Sequence, residues 1–344
     1  MTPKLKRDEN IDISRGIGII LVIFAHILSI KEINRVIYFF HMPLFFFLAG
    51  MSMVYSYKED TSFKEYTIKK IKNILVPYFI FSIISFIYWA LIERKIRGQI
   101  DISIISNFLN IFIAKASSQL YSPNVVMWFL PCMFTTDIMF FALMRLKHKK
   151  TIIGINLVIG YFLSINKIIL PWSIETALIA LSFMYFGYII KKEEIVNNWY
   201  KITFLTILSI IGIIICFITN NEVNMLNHKY SNIILFLLGA YSGIFITIVF
   251  LSNFILKQKH FKNIIEYIGQ NSLIIMLCSE PLKRLLLKIL SIITKVEIEI
   301  IRKSIIYSFL CTVMVIIMIF PIIFIFKKYV PFVKNKKYNF NNNL

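Results

Sequence analysis

The sequence predicts an all-α polytopic membrane protein, a bundle of about ten transmembrane helices with both termini in the cytoplasm. Three observations carry that expectation. Of the 344 residues 58% are hydrophobic, Phe alone contributes 32, and the mean hydropathy is +0.74, a composition outside the range of soluble domains. The apolar residues also come in windows of roughly twenty, the length that crosses a hydrocarbon core, instead of short periodic runs. Finally, successive connections alternate in Lys and Arg, 23 on one side of the expected membrane and 14 on the other, with Arg15 inside a span. The richer side is expected to face the cytoplasm. The net charge of +20 therefore reads as topology, and not as a nucleic-acid surface, because the basic residues form no groove-sized motif with aromatics. Cys132, Cys216, Cys278 and Cys311 each stand alone in an apolar span, so neither a metal site nor a disulfide framework is expected.

The windows fall at about 11–30, 36–57, 73–92, 125–146, 151–166, 171–190, 201–219, 231–256, 264–282 and 304–326. Ahead of the first, Lys4, Lys6 and Arg7 imitate a signal peptide, but Arg15 and His26 interrupt the apolar run and no small-residue cleavage site follows, so a retained first helix is expected. The fifth window is short and the ninth carries several polar residues. The stretch 93–124 is too short and too apolar to hold a core of its own, which leaves one domain over 1–344, membrane-embedded over about 11–326, with a basic, polar cytoplasmic tail at 327–344. One segment runs against the charge pattern: Lys283 to Lys303 places six basic residues on the expected outer side, as an interfacial or re-entrant piece would.

The chemistry concentrates in DISRGIGIILVIFAHILSIKEINRVIYFFHMPLFFFLAG, Asp12 to Gly50, where Asp, Arg and His sit inside apolar runs. Arg15 and His26 are eleven positions apart, which on a helix brings them to one face, about 16 Å apart along the axis. Gly18, Val22 and Ala25 share that face, which reads either as a slot between the polar residues or as small residues that let helices approach. Arg15 reads either as an ion pair with Asp12 or as a clamp for an anionic ligand, since guanidinium forks onto phosphate oxygens. An apolar setting favours neutral imidazole, a proton acceptor, so His26 and His41 read as functional groups or as helix-to-helix hydrogen bonds; Pro43 disturbs the backbone beside His41. Trp128, in MWFLPCMF, reads as an interface aromatic, and Asp137 and Glu175 as single acids that pair with a neighbouring helix. The segment Ile268 to Leu286 holds Asn271, Ser272, Ser279, Glu280 and Arg284, a density of polar groups that faces a cavity or a bundle interior.

These residues together resemble the integral-membrane acyltransferase-3 family, in particular its fucose 4-O-acetylase-like bacterial sugar O-acetyltransferases. The family's Arg-x10-His signature matches Arg15 to His26, its second-helix motif matches FHMPLFFFLAG at Phe40 to Gly50, and KNILVPYFIFSII, MWFLPCMF and IGQNSLIIML follow in the family's order. Two departures stand out: Ala49 where the family often has Ser, and LCSEP, with Ser279, where relatives commonly have His. The resemblance implies a multi-pass enzyme of the bacterial cell membrane that moves acetyl from acetyl-CoA, its acyl donor, to a sugar hydroxyl of a surface polysaccharide such as capsule or of a lipid-linked precursor, without a metal. It implies His26 as the base, His41 as a second catalytic group and Arg15 on the donor, while Asp12, Trp128, Asn271, Ser272 and Glu280 stand as candidate substrate contacts. Intramembrane Arg, Asp and His equally suit a transporter of a glycan precursor or acyl group, although no inverted repeat is visible, and an inactive relative with an assembly role is a further alternative. A glycan polymerase is disfavoured because 93–124 contains no His.

Overall fold

The computed structural model describes residues 8–58, 60–194, 199–219, 222–230 and 232–329; Lys4 to Arg7 and the tail at 330–344 lie outside the described residues. In chain order the helices are α1 (Glu9–Ile27), α2 (Lys31–Ser56), α3 (Phe63–Ile96), α4 (Ile104–Ile113), α5 (Val125–Leu143), α6 (Lys149–Ile165), α7 (Pro171–Lys192), α8 (Trp199–Ile218), α9 (Ile233–Leu256), α10 (Lys259–Gln270), α11 (Ser272–Thr294), α12 (Ile298–Lys303) and α13 (Ile305–Tyr329). Among the described residues, 7 helices are long and apolar enough to cross a membrane: α1, α2, α3, α5, α7, α9 and α13. The other three expected windows take different forms. Window 151–166 is the 17-residue α6, 201–219 contains the shorter apolar run Thr203–Ile218, and 264–282 is divided between α10 and α11 at Asn271. The division has a local cause: Asn271 takes φ −110° and ψ 13°, and its Nδ2 donates to the Tyr267 carbonyl at 2.6 Å, a short polar side chain competing with the helix for a backbone partner.

α1 and α2 form the centre because glycines let the neighbouring backbones touch them. A Cβ on Gly50 would lie 1.9 Å from the Met184 carbonyl oxygen, and one on Gly187 would lie 2.1 Å from that of Phe47, so α2 and α7 press together at reciprocal glycines. The final glycine of FHMPLFFFLAG is thus a packing requirement. α1 meets α10 in the same way, with Gly16 against Ile265 and Gly269 against Asp12. At Gly18 the small residue serves helix approach, since Leu44 Cδ2 and Phe45 Cζ stand 3.0 and 3.2 Å from its Cβ position and fill the expected slot.

Both ends of α1 are tied down. At its start Asp8 accepts from the amides of Asn10 and Ile11, and it binds Lys191 at 2.7 Å and the Tyr55 hydroxyl at 2.9 Å. Lys262 pairs with Glu9 at 2.6 Å on the same side. At its other end the Ser29 amide donates to the Arg302 carbonyl and Arg302 Nε donates to the Ile27 carbonyl, each within 2.9 Å, which fixes the turn after His26. Asp137 pairs with Lys70 at 2.7 Å, the neighbouring-helix partnership expected of a lone acid.

Replacing Gly50 with Val is expected to force α2 from α7 and cost about 1–3 kcal/mol or more, read as a fall in unfolding temperature in detergent. Gly154→Ala, where a Cβ meets nothing within 4 Å, is the matched control and is expected to be silent.

Candidate functional site

Near the C-terminal end of α1 a cavity of about 240 Å³ opens between α1, α2, the start of α5 and two loops. His26, His41 and Trp128 all line it. They converge because α1 and α2 are antiparallel neighbours joined by the short link 28–30, which brings the last turn of α1 beside the middle of α2. Tyr38 stands between the two imidazoles, its ring centroid 4.8 Å from that of His41 and 6.4 Å from that of His26. It was not singled out from the sequence, although its spacing of three from His41 puts both on one face of α2.

Behind His26 lies an ionic cluster. Glu280 of α11 sets Oε2 3.7 Å from His26 Nδ1. Lys283, one turn on, donates to both Glu280 oxygens at 2.7 and 2.8 Å and to the His26 carbonyl at 3.3 Å. Arg284 reaches Glu280 Oε1 at 3.5 Å and Glu93 Oε1 at 3.0 Å, and donates to the Pro123 carbonyl at 2.8 Å. Glu93, 5% exposed, ends a π-helical turn, Trp89–Glu93, which shifts the register of α3 and turns this acid toward the cluster. Lys283, Arg284 and Arg302 thus account for half of the six basic residues that broke the charge pattern: they hold Glu280, Glu93 and the end of α1, and are not loop charges.

One ion contact and one hydrogen bond bear on the ring nitrogens. A carboxylate facing Nδ1 favours the proton on that atom, which leaves His26 Nε2 as a proton acceptor. His41 Nδ1 lies 2.8 Å from the Ile37 carbonyl, an acceptor only, so Nδ1 carries the proton and His41 Nε2 is also an acceptor. That carbonyl is one turn before His41 on its own helix; α2 runs unbroken through Pro43.

The remaining sequence candidates lie elsewhere. Arg15 is at the opposite end of α1, where Nη2 donates to Ser52 Oγ at 2.8 Å and Nη1 stands 3.6 Å from Asp12 Oδ1. Ser52, one turn beyond Ala49 on α2, also donates its hydroxyl to the Leu48 carbonyl at 2.8 Å. Asn271 and Ser272 mark the break between α10 and α11 and do not line the cavity. Ser279 turns its hydroxyl to the Met276 carbonyl of its own helix at 3.0 Å.

A second ionisable pair joins His228 of the loop 222–230 to Glu175 in the first turn of α7. His228 places Nε2 3.1 Å from the Ala116 carbonyl and 3.5 Å from Glu175 Oε1, with Nδ1 3.5 Å from Thr176 Oγ1. Burial pushes the His228 imidazole below its ordinary value, and the neutral ring fits both neighbours: Nε2 donates to the carbonyl and Nδ1 accepts from the threonine hydroxyl.

A family model described as an acyltransferase domain matches residues 8–327. No curated protein and no solved structure matches the chain.

Glu280→Gln leaves the buried Lys283 without its carboxylate and is expected to cost about 3–5 kcal/mol of stability, seen as a lower unfolding temperature. Glu280→Gln combined with Lys283→Met removes both charges and is expected to recover most of that loss. Equal unfolding temperatures for wild type and Glu280→Gln would show that the pair does not hold α11 to α1.

Proposed function

We propose, since the chain belongs to the acyltransferase-3 family, that this membrane acyltransferase moves an acetyl group from acetyl-CoA to a hydroxyl of a bacterial surface glycan or its precursor. The observation that carries this reading is the Glu280 carboxylate 3.7 Å from Nδ1 of His26, an imidazole that also lines the cavity. A sugar hydroxyl is a poor nucleophile until a base removes its proton, and an imidazole oriented by a carboxylate is suited to that step.

In this reading His26 Nε2 takes the hydroxyl proton as the oxygen attacks the thioester carbonyl. The tetrahedral intermediate then expels the CoA thiolate, which takes the proton from His26, leaving acetyl ester and free thiol. His41, whose Nε2 is an acceptor, suits holding the incoming hydroxyl better than stabilising an oxyanion. Tyr38, whose ring neighbours both imidazoles, carries a hydroxyl donor suited to the developing negative charge. Trp128 offers the apolar face on which a sugar ring stacks.

Arg15 is the donor clamp. Its guanidinium sits at the end of α1 that the charge asymmetry assigns to the cytoplasm, where acetyl-CoA is available, and the contacts to Asp12 and Ser52 hold it for phosphate. The motifs at Phe40 to Gly50 and Ile268 to Leu277 resemble those of the fucose 4-O-acetylase-like branch, which supports a sugar hydroxyl as acceptor.

His26→Ala, in protein that inserts and accumulates normally, is expected to lower acetyl transfer from radiolabelled acetyl-CoA to host surface glycan by about 10²–10⁴-fold; full transfer would remove His26 as the base. Arg15→Lys is expected to raise the KM for acetyl-CoA while changing kcat far less. An unchanged dependence on acetyl-CoA concentration would count against the phosphate contact.

A further inference from the structure

Among the described residues, none of those that line the cavity at His26 is Asp, Glu, Lys or Arg. Its polar groups are imidazole, phenol, indole, the Ser118 hydroxyl and the carboxamides of Asn224 and Asn227. The two asparagines belong to the loop 222–230, closed by reciprocal backbone hydrogen bonds between Asn224 and Lys229 at 2.7 and 3.0 Å. Each carboxamide is held by its oxygen. Asn224 Oδ1 accepts from the Asn227 amide at 3.0 Å, and Asn227 Oδ1 accepts from the Ser118 amide at 3.3 Å. Because a backbone N–H demands an acceptor, these bonds fix which atom is oxygen, and each Nδ2 is left as a donor on a residue that lines the cavity.

The loop is locked from behind. His228 takes a left-handed conformation, φ 56°, and its ring is held by the Ala116 carbonyl and the Thr176 hydroxyl, with Glu175 Oε1 3.5 Å from Nε2. Glu175 is 0% exposed, and its other oxygen accepts from the Leu170 amide at 3.0 Å. Ala114, Trp172 and Ser173, also left-handed without being glycine, lie in the two segments that meet His228, and the Ser173 hydroxyl donates to the Ala114 carbonyl at 3.3 Å. Strained backbone persists only where the surroundings over-determine it, and here it surrounds one buried carboxylate and one buried imidazole.

We propose that the loop 222–230 is the acceptor platform, that Asn224 and Asn227 hydrogen-bond an uncharged sugar unit over His26, and that Glu175 and His228 are positioning residues that lock the platform in place. The inference rests on the acyltransferase reading of the cavity. Two donors from the roof, an acceptor at His41 Nε2 and an aromatic at Trp128 match the mixed hydrogen bonding and flat apolar face of a neutral sugar. A uronate or phosphate would find no cation among the described residues of the walls, and Lys283, behind His26, is committed to Glu280. At about 240 Å³ the cavity is below the ~300 Å³ of ordinary small-molecule pockets and takes one sugar unit, not a chain.

The test uses purified full-length protein in nanodiscs with saturating acetyl-CoA. The probes are methyl α-L-fucoside, methyl β-D-glucoside and methyl β-D-glucuronide, with ester formation read by mass spectrometry. The expected result is acetylation of at least one neutral glycoside and none of the glucuronide. Asn224→Ala and Asn227→Ala are each expected to raise the glycoside KM about three- to tenfold with kcat changed far less, as loss of one neutral hydrogen bond does. His228→Ala is expected to raise KM similarly, with partial rescue by His228→Gln, which retains an amide donor for the Ala116 carbonyl. Glucuronide acetylated as well as the neutral sugars, or wild-type KM in both asparagine variants, overturns the proposal while leaving the acyltransferase reading intact. A wild-type protein that consumes no thioester with any probe overturns that reading and this inference together.

Discussion

One buried charge interaction underlies the rest of the site: the Glu280 carboxylate, gripped by Lys283 at 2.7 and 2.8 Å, standing 3.7 Å from His26. A lone carboxylate in this setting would be costly, and so would a lone ammonium. Paired, they place a fixed negative charge at one nitrogen of one imidazole. Lys283 also donates to the backbone carbonyl of His26, so the side chain that satisfies the acid also registers α11 against α1. Arg284 extends the arrangement to Glu93 on α3 and to the Pro123 carbonyl, and Arg302 closes the end of α1. Four parts of the chain far apart in sequence are thereby tied to the turn that carries His26.

The architecture separates two tasks along α1. At one end Arg15 is held by Asp12 and Ser52; at the other His26 and His41 line a cavity that two loops help to enclose. The glycine contacts at Gly16, Gly50, Gly187 and Gly269 bring the helix backbones into direct contact, α1 against α10 and α2 against α7. The stretch 93–124, which carries no core of its own, supplies the Ser118 and Ala116 contacts and the Pro123 carbonyl, and thus forms part of the cavity wall.

What was legible in the sequence was what depends on local spacing. The Arg15 to His26 stripe, the apolar spans of α1 and α2, and His41 and Trp128 as site candidates all follow from helical periodicity and from polar residues in apolar runs. Glu280 was visible for the same reason. Its partner was not, because Lys283 looks like one of six basic residues on an outer segment until α11 is packed against α1. Glu93 was hidden in the tail of an apolar helix, and the π turn that turns it inward has no simple spacing signature. Tyr38 was passed over among many aromatics. The ninth window was assigned as one span because hydropathy averages over the break at Asn271, and the slot expected at Gly18 is filled by Leu44 and Phe45, which only tertiary packing decides. Glu175 was expected to pair with a neighbouring helix, and it instead meets His228 in a loop, a contact set by where 222–230 folds back.

The central claim is that Glu280 and Lys283 act through His26, and a double-mutant cycle measures that coupling directly. Acetyl transfer from radiolabelled acetyl-CoA is compared in wild type, in Glu280→Gln/Lys283→Met, in His26→Ala and in the combination, with the charge-free pair chosen so that the fold survives. The account predicts at least a roughly tenfold loss from the pair substitution when His26 is present and no further loss when His26 is already Ala. An equal loss in both backgrounds would contradict it, because the ion pair would then act on the reaction without the imidazole.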